Sequence, residues 1–68
     1  MNFPTVGQCF DIEVSREADG WIVRIPEIGG VTRASRRATV ELAAREYIAA
    51  RTGIPLGYIA IFVAREIG

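Results

Sequence analysis

From Gln8 to Ser15 apolar and polar residues alternate. Phe10, Ile12 and Val14 point one way; Cys9, Asp11, Glu13 and Ser15 point the other. A period of two predicts a strand buried on one face. Residues 16–20, "READG", end in Asp-Gly, a strong turn signal. The alternation resumes over Trp21 to Ile25, with Trp21, Val23 and Ile25 on one face and Ile22 and Arg24 on the other. Two such runs about a short loop predict an antiparallel hairpin. Pro26 cannot donate to a sheet ladder and ends the second run. Gly29 and Gly30 permit positive φ, so the chain can reverse. The segment "VTRAS" (31–35) then reads as a short third strand.

At Thr39 the period changes to 3.6. Val40, Ala43, Ala44, Tyr47 and Ile48 form one apolar stripe through Arg51. Thr39 is the expected N-cap, with Glu41 in the first turn, where the macrodipole favours an anion. Glu41 and Arg45 are an i,i+4 pair in the favoured order, worth about 0.3–0.5 kcal/mol. Gly53 fits the left-handed C-cap, and Pro55 prevents the helix from resuming. Tyr58 to Arg65, "YIAIFVAR", reads as the last strand. Ile59, Ile61 and Val63 form one row; Tyr58, Ala60, Phe62 and Ala64 form the other. The order β-β-β-α-β predicts an α+β domain: a three- to four-stranded, mostly antiparallel sheet with one helix on one face. Residues 1–7, with Pro4 and Gly7, are a lead-in without regular structure.

Composition adds a constraint on stability. A 68-residue chain makes one domain, and at this size only about 60% of the unfolded surface is buried. Small domains add disulfides, a metal or a partner chain. Cys9 is the only cysteine and there is no histidine, so neither an internal disulfide nor a zinc site is expected. Oligomerisation, or an unusually efficient core, is left as the extra source of stability. Cys9 is expected to be a free, buried thiol. No signal peptide or membrane-spanning run is visible, so a cytoplasmic protein with no membrane partner is expected.

One helix covers only one sheet face. If the row Tyr58, Ala60 and Phe62 faces the other side, it joins Ile22 as an uncovered apolar patch, a candidate self-association surface. The expected partner is therefore a second copy, as a dimer or higher oligomer. No cofactor is implied. Without histidine there is no general base titrating near neutral pH, and Cys9 has no imidazole to activate it; no enzyme activity is expected. Asp11 and Glu13 share a strand face and in principle suit a metal, but they read better as a solvated acidic row paired with Arg24. Net charge is zero, from eight basic and eight acidic residues, which is not the footprint of a nucleic-acid binder. All the basic residues are Arg, whose planar fork suits interfaces; base-composition bias explains the same fact. Arg33, Arg36 and Arg37 cluster before the helix. They are a candidate contact for an anionic partner, RNA or an acidic protein surface, although no aromatic interleaves with them.

The chain resembles the HicB family of antitoxins over roughly residues 8–65. The resemblance is carried by "ADGWIVRI", by the turn "PEIGGVT" with Pro26, Gly29 and Gly30, by the Ala-rich "ATVELAAREYIAA", and by the closing strand. It implies an incomplete ribonuclease-H-like β-β-β-α-β unit without catalytic carboxylates. It also implies a binding role, neutralising a small mRNA-cleaving toxin by occlusion. Many family members carry a further DNA-binding segment. This sequence ends at Gly68, after the last strand, so residues 1–68 are expected to be a single HicB-like domain that does not bind an operator by itself. Two departures stand out: "RASRRAT" is basic and lacks Gly, where the family often has Gly and acidic residues. Two other readings remain: a small nucleic-acid-binding module using the three arginines, and an orphan dimeric interaction protein with no toxin.

Overall fold

The computed structural model describes residues 7–68, so the expected lead-in lies outside the described residues apart from Gly7. The elements run β1 (Gln8–Glu17), β2 (Gly20–Ile25), β3 (Gly30–Ala34), α1 (Val40–Thr52) and β4 (Ile59–Ile67). The strands make one mixed sheet in the order β3-β2-β1-β4. β1 pairs antiparallel with β2, and β2 with β3; β4 lies parallel to β1. This is the expected α+β arrangement, with one helix on a mostly antiparallel sheet.

The hairpin is tighter than the sequence suggested. Glu17 pairs with Gly20, so only Ala18 and Asp19 form the loop, and β1 runs two residues past Ser15. Arg16 faces Trp21 across the ladder, its guanidinium 5.7 Å from the ring centroid. After β2, Pro26–Ile28 form a 3-10 turn. It closes with the Gly29 N–H donating to the Pro26 carbonyl at 3.1 Å, and Gly29 sits in the left-handed region at φ 61°. Gly30 then starts β3 opposite Ile25. Gly30 itself is not left-handed; its hydrogen side is occupied by the ring of Tyr47.

The helix behaves as its stripe predicts. Val40, Ala44 and Ile48 are fully buried, and Ala43 and Tyr47 pack at the margin. Gly53, at φ 79°, caps its end by donating to the Ala49 carbonyl at 2.9 Å. The start differs. Thr39 occupies the N-cap position but makes no side-chain cap. Its hydroxyl donates instead to the Arg36 carbonyl at 3.0 Å, because Arg37–Thr39 form a 3-10 turn leading into the helix. Glu41 does not pair with Arg45 either. It accepts from Arg37 at 3.2 Å, since that 3-10 turn sets Arg37 one turn before it.

Helix and sheet enclose one core: Phe10, Ile12 and Val14 from β1, Val23 and Ile25 from β2, Ala34 from β3, Val40, Ala44 and Ile48 from α1, and Ile59 from β4. Each fully buried Val, Ile or Phe side chain contributes about 1.5–3 kcal/mol of transfer free energy. No polar or charged side chain is buried among the described residues. In β4 the helix-facing row is Ile59, Ile61 and Val63, opposite Gln8, Phe10 and Ile12. The row Ala60 and Phe62 faces away, opposite Cys9 and Asp11.

One irregularity controls the far end of β4. Val63 pairs with Ile12 but Arg65 with Glu13, so Ala64 is an extra residue. A bulge of this kind inverts which residues face the helix beyond it. Arg65 therefore goes to the open face beside Glu13. Glu66, opposite Val14, goes to the helix side.

Candidate functional site: the open sheet face

The face away from the helix is built by the outward residues of all four strands. The register arranges them in rows across the sheet. Ile22 lies between Arg33 on β3 and Ser15 on β1, with Ile67 beyond Ser15 on β4. The next row is Val31, Arg24, Glu13 and Arg65. Asp11 and Phe62 follow, then Cys9 and Ala60. Phe62, Ile67 and Val31 are 58%, 53% and 54% exposed.

The candidate self-association residues thus fall in two places. Ala60 and Phe62 are together at the β4 edge, as expected. Ile22, half-buried, is on β2. Spacings of ~4.8 Å between strands and ~3.3 Å per residue place it roughly 16 Å from Phe62, with the charged Glu13–Arg65 row between. Ile22 does not complete their patch; its apolar neighbour across Ser15 is Ile67. Tyr58 is not in the strand but in a 3-10 turn, Leu56–Tyr58, that leads into it; it is nonetheless 47% exposed. Ile67 and Val31 were not anticipated. Ile67 reaches the open face only because of the bulge at Ala64, and a bulge leaves no signal in an apolar strand sequence.

Cys9 is exposed, a correction to the buried thiol expected of it. It lies on the outward row with Asp11. Asp11 and Glu13, joined by Glu27 from the 3-10 turn after β2, line a depression of about 350 Å³ together with Pro26 and Ala64. Glu13 is opposite Arg24 in the register, but the two make no ion pair. No group of three or more metal-ligating side chains is gathered among the described residues.

The three candidate arginines do not converge as a free cationic patch. Arg33 donates to Glu17 at 2.9 Å across the open end of the sheet. Arg37 donates twice to Glu66, at 3.1 and 3.0 Å, and also to Glu41. Arg36 has no ion-pair partner among the described residues. The Arg37–Glu66 fork is the connection between the start of α1 and the end of β4. Hydrogen bonding from Arg37 holds the Glu66 carboxyl below its ordinary value, against a smaller desolvation effect. Arg37 is raised, first through the same hydrogen bond.

A depressed carboxylate stabilises the fold above its unfolded-state pKa, and that contribution is lost as the pH falls through the lower folded value. Glu66→Gln is expected to flatten the acid side of the stability–pH curve and leave its alkaline side unchanged. Urea midpoints measured from neutral pH down to about pH 3, through and below the ordinary glutamate value of 4.5, check this; parallel curves for the two proteins would contradict it.

Among the described residues, no helix is long and apolar enough to cross a membrane. No family model, curated protein or solved structure matches this chain.

Proposed function

We propose that this chain is a non-catalytic binding module of the HicB antitoxin type, which self-associates and neutralises a small mRNA-cleaving toxin by covering it. The observation that carries the reading is the sheet face that the described residues leave uncovered. One helix covers one side, and the other presents Phe62, Ile67 and Val31 among mixed charges. Exposed apolar surface rimmed by polar groups is the usual form of a protein-binding site. The element order β-β-β-α-β supports the family reading, as do the turn "PEIGGVT" and the run "ADGWIVRI". Two of the three candidate arginines are engaged with carboxylates of the chain itself, which favours a protein partner over a nucleic acid.

The test begins with a small open reading frame beside this gene. Its expression alone is expected to arrest growth, and co-expression of this chain to restore it. Arrest that this chain does not relieve would count against the antitoxin reading. The purified complex is also expected to keep its affinity within about tenfold between 50 and 200 mM salt, whereas a binder of many phosphates loses about 10³–10⁵ over that range.

A further inference from the structure

We propose that two copies of this chain join edge to edge through β4, antiparallel, about a two-fold axis at Ile61. The proposal rests on the reading of the chain as a self-associating module and names the surface that does it.

Among the described residues the sheet has two free edges, and they are unlike. β3 is five residues long, and its Arg33 is tied to Glu17. Short length and an edge charge are the ordinary protections against pairing with another chain. β4 is nine residues long, and its first part, Ile59–Val63, reads Ile-Ala-Ile-Phe-Val with no charge and no proline. Its outer side offers a row of unpaired backbone N–H and C=O groups, the template for strand addition. The bulge at Ala64 and the charges at Arg65 and Glu66 end the regular stretch. The part of the edge that can pair is therefore Ile59–Val63, whose midpoint is Ile61.

The side chains select the same axis. About Ile61, each Phe62 falls opposite Ala60 of the second copy, and Ile59 falls opposite Val63. Just beyond the strand's start, Tyr58 falls opposite Ala64 of the second copy. Large residues meet small ones on the open face, so each exposed Phe62 ring lies over an alanine instead of colliding with its twin. Moving the axis by one residue, to Phe62, puts Phe against Phe and Ala against Ala. Such a dimer has one continuous eight-stranded sheet, both helices on the same side and both open faces on the other. A pairing of five residues is smaller than a standard interface of about 800 Å² per partner, so a dissociation constant on the order of micromolar is expected.

The whole chain is used for the test. Sedimentation equilibrium at about 100 µM, well above such a constant, is expected to give twice the 7.5 kDa chain mass. Phe62→Arg is expected to halve the mass; below the dissociation constant, where both proteins are single chains, it is expected to keep the wild-type melting curve, because Phe62 is outside the core. Val31→Arg, on the opposite edge strand, is expected to keep the dimer. In a Cys9→Ser background, Ile61→Cys is expected to form a disulfide dimer on mild oxidation, since directly opposed strand residues have Cα atoms ~4.5–5.5 Å apart. Ile67→Cys in the same background is not, because this register sets the two copies of residue 67 roughly 40 Å apart. A dimer that cross-links at 67 and not at 61, or that survives Phe62→Arg, overturns the β4 pairing and leaves self-association standing. A single-chain mass at this concentration overturns both.

Discussion

Replacing Gly20 by Val is expected to remove a third or more of the stability of the domain. Gly20 has φ 149°, a conformation that side chains rarely adopt, and a Cβ built there stands 2.6 Å from the carbonyl oxygen of Ala34. The obstacle is backbone, at the end of β3, so no rotamer change relieves it. Relief requires β2 and β3 to part where Trp21 pairs with Ala34. Strain of this kind costs roughly 3 kcal/mol. A domain of this length has about 3–10 kcal/mol in all. A urea midpoint reduced by about a third or more is the expected result, and a midpoint within error of wild type would show that the strands accommodate the side chain. Gly57→Ala is the matching control. Nothing lies within 4 Å of a Cβ at Gly57, so the change is expected to be neutral or to stabilise by up to about 1 kcal/mol through the unfolded chain.

The second large effect is at Gly30, where β3 begins. A Cβ there would land on the Tyr47 ring, with Cζ and Oη both 3.1 Å away. A swing of the ring would break two contacts. Its hydroxyl accepts from Arg51 at 2.6 Å, and the Arg51 guanidinium lies 5.5 Å from its centroid. Arg51 in turn reaches the carbonyl of Ile28 in the turn just before Gly30. Gly30→Val is therefore expected to cost about 2–3 kcal/mol by overpacking. The measurement that isolates the cause is a double-mutant cycle. In a Tyr47→Ala background the cost of Gly30→Val is expected to fall by at least about 1 kcal/mol, because the two positions share one space. Additive costs would place the damage in the backbone of the turn instead.

These two glycines show how much of the fold could be read from the chain. The alternation of β1 and β2 was legible because only one of their faces is covered, and the 3.6 period of α1 for the same reason. Gly20 was legible as a turn residue, but its actual constraint is the approach of β3. That contact forms between positions with no local relation. Gly29 and Gly30 were both read as permitting positive φ; Gly29 takes that role, and Gly30 makes room for a helix side chain. Such an assignment depends on where Tyr47 comes down.

The candidate site was legible in part. The outward placement of Ala60 and Phe62 follows from the row Ile59, Ile61 and Val63 being the one that packs under the helix. Their separation from Ile22 follows from strand order, which alternation does not encode. Cys9 is instructive in the other direction. Its position in β1 already placed it on the Asp11–Glu13 row, and the general habit of cysteine to be buried argued otherwise. The local pattern was the better guide. The engagement of Arg37 was hidden because Glu66 comes from the opposite end of the sequence and is turned inward by the bulge.

The parallel pairing of β4 with β1 has a consequence for the order of assembly. Gln8 lies beside Ile59 and Ser15 beside Ile67, so the second strand to emerge beside β1 in space is the last one made in time. Until then β1 is itself an outer strand, and Phe10 and Ile12 lack one wall of their enclosure. Contacts so distant along the chain are slow to close. The hairpin and the helix form from local contacts, whereas β4 must return to β1 across about fifty residues, so closing the sheet is expected to be the slow step.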